Sequence, residues 1–179
     1  AYVVVRLAWS LRHARAPGGV KLHLYFASAN ILGAVTLGVL LGFDKVSQFL
    51  PGYVLSNVFA HAHQAAIGWA CMMVIGLAYR LLPMVIPAAS PSGWTIYISA
   101  ILIEAGVIGL FAALVMRREW TLPFAMLIIA GFAAFGAHVV WMLERPKRPP
   151  QGRSRPDLAA RHVGTAGGWL LLACVCGVM

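Results

Sequence analysis

Four runs of roughly twenty residues, at 22–42, 57–79, 94–116 and 121–143, contain a single Asp, Glu, Lys or Arg between them, and a fifth at 163–179 is slightly shorter. Twenty helical residues rise about 30 Å, the thickness of a bilayer's hydrocarbon core, and a helix satisfies its own backbone polar groups there. The pattern predicts an all-α polytopic transmembrane helix bundle of about five spans. The opening stretch from Ala1 to Leu11 reads as the last turns of a preceding span. It has no initiator Met and no signal-peptide layout, and Met179 follows the fifth run without a polar flank, so residues 1–179 are expected to form one membrane domain of a longer chain.

Charge supports lipid as the solvent. Only 11% of residues are charged, against about 25% in soluble domains. The net charge of +9 would suit nucleic acid if it lined one soluble face. Instead, ten of the fourteen Lys and Arg lie in 11–21, 80–93 and 144–162, with three in 43–56 and 117–120. The positive-inside rule puts the first set on the cytoplasmic side, as in a bacterial inner membrane, with Arg117 and Arg118 as the dissenting pair. The 144–161 segment, rich in Pro and cations, reads as an extended cytoplasmic loop beside anionic lipid headgroups, and nucleic acid is not an expected partner.

The stretches 42–56 and 83–93 carry the Pro and Gly of connecting loops. Gly33, Gly38, Gly106, Gly109, Gly131, Gly136, Gly164 and Gly168 recur inside the spans, where small residues let helices approach. Cys71, Cys174 and Cys176 lie in apolar runs and read as small buried hydrophobes. Trp94, Tyr97, Trp120 and Trp141 fit interfacial belts.

Against this background His61-Ala62-His63 stands out. Ionisable side chains are expensive in a bilayer, and paired histidines near the mouth of a span suggest a metal or heme iron. Two residues on a helix differ by about 200°, so the two rings point to opposite faces and do not share one iron. Either two cofactors flank this helix, or one histidine ligates and the other is hydrogen-bonded in the bundle. The plainer reading of His63 alone is a packing or interface histidine.

His61-Ala-His63-Gln-Ala-Ala-Ile-Gly68-Trp69, followed by Gly76, Tyr79 and Leu82-Pro83, resembles the tenth helix of heme-copper oxidase catalytic subunits, most of all the cbb-type and nitric oxide reductase branch. The resemblance implies that His61 is the proximal ligand of a high-spin heme and His63 an axial ligand of a low-spin heme. It implies heme b, one or two per chain, electron transport in a respiratory or photosynthetic complex, and cytochrome c or quinol-oxidising subunits among other membrane subunits as partners. The family's copper ligands include a His-His pair and a His four residues before a Tyr. Neither occurs here, so a copper centre is not expected from these residues, and whether the chain itself turns over oxygen or nitric oxide stays open.

Four further residues carry possible chemistry. His23 and His162, near the basic ends of their runs, read as snorkelling interface residues, about 30 Å from His61. His138 lies deeper and is a second candidate cofactor ligand or quinone contact. Glu104, mid-span, must be protonated, paired or hydrated, which suits a proton path or an interhelical hydrogen bond. The rival to a heme subunit is a non-redox bundle, either a transporter or an accessory subunit of a membrane complex. A shift of 139 residues aligns His23 with His162, Ala27 with Ala166, Leu32 with Leu171, Ala34 with Ala173, Gly38 with Gly177 and Val39 with Val178, which suggests a repeated four-helix unit.

Overall fold

The computed structural model describes residues 2–91, 93–116, 119–145, 147 and 158–176. Helix α1 spans Tyr2–His13 and α2 spans Gly18–Ser47. A continuous span follows, made of α3 (Val54–His63), a π-helical stretch Gln64–Cys71 and α4 (Met72–Val85). Then come α5 (Thr95–Val115), α6 (Thr121–Glu144) and α7 (Leu158–Cys176). The all-α expectation holds: no strand occurs among the described residues.

Among the described residues four helices are long and apolar enough to cross a membrane: Gly18–Ser47, Val54–Val85, Thr95–Val115 and Thr121–Glu144. The fifth run, 163–179, falls on α7 and on residues 177–179 outside the described ones, and α7, 19 residues long, is not among the four. Large apolar side chains such as Val35, Val74, Ile101 and Val140 are exposed on these four helices, as a hydrocarbon solvent permits. The buried centre holds Ala27, Met72, Ala100, Ile103 and Met142.

The helices run past their expected limits. Pro17, with φ −53°, precedes the first residue of α2, since its fixed φ is already helical and its missing N–H is not needed there. Pro83, expected to open a loop, sits inside α4. Only Met84 and Val85 follow it before the helix ends, so little helix remains for the proline to disturb. At the other end of α2, Gln48 adopts φ 47° and donates its N–H to the Asp44 carbonyl, while the Asp44 carboxylate accepts the Leu50 N–H at 2.7 Å. Asn57 Nδ2 donates to the Pro51 carbonyl at 2.9 Å. Both side chains are buried and together they fix the α2–α3 turn.

The three basic segments meet at one end of the bundle. Arg80 Nη1 donates to the Arg15 carbonyl at 3.3 Å, the Ala89 N–H to Arg145 at 3.4 Å, and the Lys147 N–H to Pro87 at 2.9 Å. The Arg145 guanidinium lies 5.1 Å from the Trp141 ring centre, and Trp94 and Trp120 are exposed, as interfacial anchors are. Arg117, Arg118, residues 148–157 of the basic loop, and Met179 lie outside the described residues, as do the side chains of Cys174 and Cys176.

Candidate functional site: a polar seam through the bundle

Helix α2 and the α3–α4 span run antiparallel, and each places polar side chains into glycine notches of the other. A Cβ at Gly38 would stand 3.0 Å from His61 Cε1, and one at Gly33 would collide with the Gln64 amide. Going the other way, a Cβ at Gly68 would meet Asn30 Cγ at 2.6 Å, and one at Gly76 would meet His23 Cβ at 2.8 Å. Descending α2 from Gly38 through Gly33 and Asn30 to His23 ascends the partner from His61 through Gln64 and Gly68 to Gly76. Polar groups therefore line this interface from one end to the other.

His61, at the upper end, is half-buried, and its Nδ1 bonds the Ala34 carbonyl of α2 at 2.9 Å. A carbonyl only accepts, so Nδ1 carries the proton and Nε2 keeps its lone pair. His63 Nδ1 bonds the Phe59 carbonyl, four residues back on its own helix, at 2.8 Å. His13 and His23 make the same local bond to Trp9 and Gly19. The His63 bond is thus a habit of helical histidines in this chain, whereas the His61 bond ties two helices together. Neither Nε2 has a hydrogen bond among the described residues.

The π-helical stretch begins one residue after His63. Such wide turns are uncommon and recur at functional sites. Sequence periodicity assumed a regular α-helix here and did not anticipate it. Gln64, its first residue, has a buried Oε1 with no hydrogen-bond partner. At the same level Asn30 Nδ2 donates to a Glu104 carboxyl oxygen at 2.7 Å and to the Phe26 carbonyl at 3.0 Å. Glu104 is 9% exposed, so this acid faces the interior and is paired with an amide from α2.

The lower end overturns the reading of His23. It does not snorkel: it is fully buried, because α2 begins at Gly18 and turns this ring toward the space left by Gly76. Its Nδ1 donates to the Gly19 carbonyl at 2.7 Å, and its Nε2 lies 3.1 Å from Ser99 Oγ. Ser99 Oγ also lies 3.1 Å from the Tyr79 hydroxyl and 3.0 Å from the Ile96 carbonyl. The Tyr79 hydroxyl bonds His138 Nδ1 at 2.8 Å. His138 is therefore held by a tyrosine inside the bundle. His162, in contrast, is exposed, so the two histidines aligned by the 139-residue shift sit in different surroundings. His23 lies fifteen residues from Gly38, about 22 Å along α2 rather than 30 Å.

Asn30, Gln64, Ser99 and Tyr79 are the residues that sequence reasoning missed as a set. Their signal was present, since each is a polar side chain within a span and must find a partner there. Among the described residues no three His, Cys, Asp or Glu side chains converge on one metal position. An apolar cleft of about 350 Å³ lies between α5 and α6, lined by Gly109, Ala112, Ala113, Met116, Trp120 and Phe124, in which the Met116 thioether is the one side chain able to ligate a metal. Comparison of the chain with protein-family models, with curated proteins and with solved structures finds no match.

Proposed function

We propose that this chain is a heme b-binding subunit of a membrane electron-transport complex, with His61 as the principal iron ligand and His63 as a ligand to a second heme. The observation that carries the reading is the Nδ1 bond from His61 to the Ala34 carbonyl on a neighbouring helix. A ligating imidazole usually donates its other N–H to such an acceptor, which fixes the ring and raises its basicity. The free Nε2 of His61 fits that role, and one imidazole from this chain per iron requires no cluster of three ligands. The heme would supply one-electron redox chemistry, while the chain supplies ligands, orientation and low polarity. Copper is not part of the proposal. Cytochrome c or quinol-oxidising subunits are the proposed partners. The gathering of the three basic segments at one end supports a cytoplasmic placement for that end in a bacterial inner membrane.

The test is a reduced-minus-oxidised absorption spectrum of the purified chain, with pyridine hemochrome typing. Heme b bands are expected, and His61→Ala and His63→Ala should remove different species. A colourless preparation would reject the reading, and loss of one shared species by either change would reject the two-heme form. The Glu104–Asn30 pair favours a second reading, a non-redox transporter in which the buried acid exchanges a proton. Colourless protein with proton uptake abolished in Glu104→Gln would select it.

A further inference from the structure

We propose that His23, Ser99, Tyr79 and His138 form a one-proton store, filled through His138 and ending at His23. This proposal is independent of heme binding. Each of the four membrane-length helices contributes one residue. His23 and Ser99 are fully buried and Tyr79 is 3% exposed, whereas His138 is half-buried and stands six residues, about 9 Å, from the Glu144 end of α6, which makes it the entry end of the chain.

The proton count follows from the partners. With His23 neutral, Nδ1–H donates to the Gly19 carbonyl, so Nε2 must accept. The one Ser99 proton has two acceptors in reach, the Ile96 carbonyl and His23 Nε2; when it turns to His23, Tyr79 donates to Ser99 and His138 Nδ1–H donates to Tyr79. That leaves the His138 Nε2 lone pair open. A hydronium ion or buffer acid that protonates this atom can be followed by three transfers: His138 Nδ1–H to Tyr79, the Tyr79 proton to Ser99, and the Ser99 proton to His23 Nε2. One proton enters and one is held as the His23 imidazolium. Each bond between side chains reverses direction without moving a heavy atom. The chain stops there, because the Gly19 carbonyl cannot pass a proton on.

Two features accommodate the stored charge. The Tyr79 ring centre lies 5.4 Å from that of His23, within the range over which an aromatic face attracts a cation. The Ile96 carbonyl, 3.0 Å from Ser99 Oγ, is a spare acceptor toward which the hydroxyl can turn when the store resets. Other ionisable groups on the packed elements are held apart. Arg12, His13, Arg15 and Arg80 are exposed, Lys21 is half-buried, and Glu104 is paired with Asn30, about 7.5 Å along α5 from Ser99.

The test is nitrogen-15 histidine NMR of the full chain in lipid nanodiscs, with the ring-stretching infrared band of His23 followed after a pH jump from about 8 to about 5. His23 should change from the Nδ1–H tautomer to imidazolium. Tyr79→Phe, which keeps the ring and removes the relay, should slow this roughly a hundredfold, the low end of what a positioned proton donor contributes. Ser99→Ala should do the same. A His23 that stays neutral at the lower pH in the unmodified chain would overturn the proposal, as would equal rates in the unmodified chain and both variants. Neither outcome depends on whether the protein is coloured.

Discussion

Two interfaces in this bundle use the same packing device with opposite chemistry. Between α5 and α6, a Cβ at Gly106 would meet Ile128 Cγ1 at 2.6 Å and one at Gly131 would meet Ile103 Cγ1 at 2.5 Å, while Gly109 admits the Phe124 ring. Between α2 and the α3–α4 span, the groups admitted are His61, Gln64, Asn30 and His23. Lipid tails are as apolar as leucine, so helix association in a membrane rests on close packing and on interhelical hydrogen bonds. Among the described residues the α5–α6 interface uses the first alone. Packing does not require imidazoles and amides at the other interface, since an apolar side chain fills a notch equally well without needing partners. The contrast teaches that glycine notches set the close approach at both interfaces, and that one pair of helices also carries polar groups that packing alone does not call for.

The largest effect should come from filling a notch whose wall is backbone. At Gly106 a Cβ would stand 2.8 Å from the Phe124 carbonyl and 2.9 Å from the Ile128 nitrogen, neither of which can rotate away. Gly106→Leu is expected to destabilise by more than about 3 kcal/mol, seen as loss of monodisperse protein in detergent. Gly33→Ala meets only the end of the Gln64 side chain and should leave the yield intact. Equal effects would mean that the two interfaces do not differ in how they are walled.

Next in size is the Glu104–Asn30 bond. Glu104→Leu leaves Asn30 with only the Phe26 carbonyl, and stranding a buried donor costs about 1–3 kcal/mol. Glu104→Gln keeps an acceptor at the same place and should cost less than about 1 kcal/mol. Reversible unfolding in mixed lipid–detergent micelles measures both. If the two variants unfold alike, the bond does not stabilise the seam.

The two histidines of the sequence motif divide more finely. His61→Ala removes an interhelical bond and empties the Gly38 notch, so a loss of about 1–2 kcal/mol is expected. His63→Ala removes only a bond within its own helix and should change stability by less than about 0.5 kcal/mol. The same micelle unfolding assay measures both, and a reversed order would move the structural weight of the motif from His61 to His63.

What the sequence could show follows from which signals are local. Runs of twenty apolar residues placed the four membrane-length helices, and the basic segments that the charge pattern grouped do meet at one end. Gly136, Gly164 and Gly168, expected at helix contacts, have nothing within 4 Å of an added Cβ, because a glycine's spacing does not say which face of the helix it occupies. The same ambiguity hid His23. Its distance from the end of its apolar run suggested an interface, whereas its partners Ser99 and Tyr79 are 76 residues away and on another helix, respectively. The fifth run, 163–179, lies partly outside the described residues, and its helix α7 carries Arg161 and His162 in its first two turns. The π-helical stretch leaves no local pattern in Gln64–Cys71 that distinguishes it from ordinary helix.

The smallest expected effect is the sharpest on the central contrast. Gln64 Oε1 is buried without a partner, and an unsatisfied buried acceptor is destabilising by about 1–3 kcal/mol relative to an apolar group of like shape. Methionine has nearly the same length and flexibility and needs no partner. If Gln64 serves only packing, Gln64→Met should stabilise the chain by up to about 1 kcal/mol and leave every other property unchanged. If the polar interface is retained for function, the same variant should gain that stability and lose part of the proton uptake or of the His61-dependent spectrum. Stability comes from unfolding in micelles and function from the same sample's spectrum and pH-jump response. A variant that loses stability would show that Gln64 has a partner in the folded chain, and the contrast between the two interfaces would then fail at this residue, because its polar group would be structural after all.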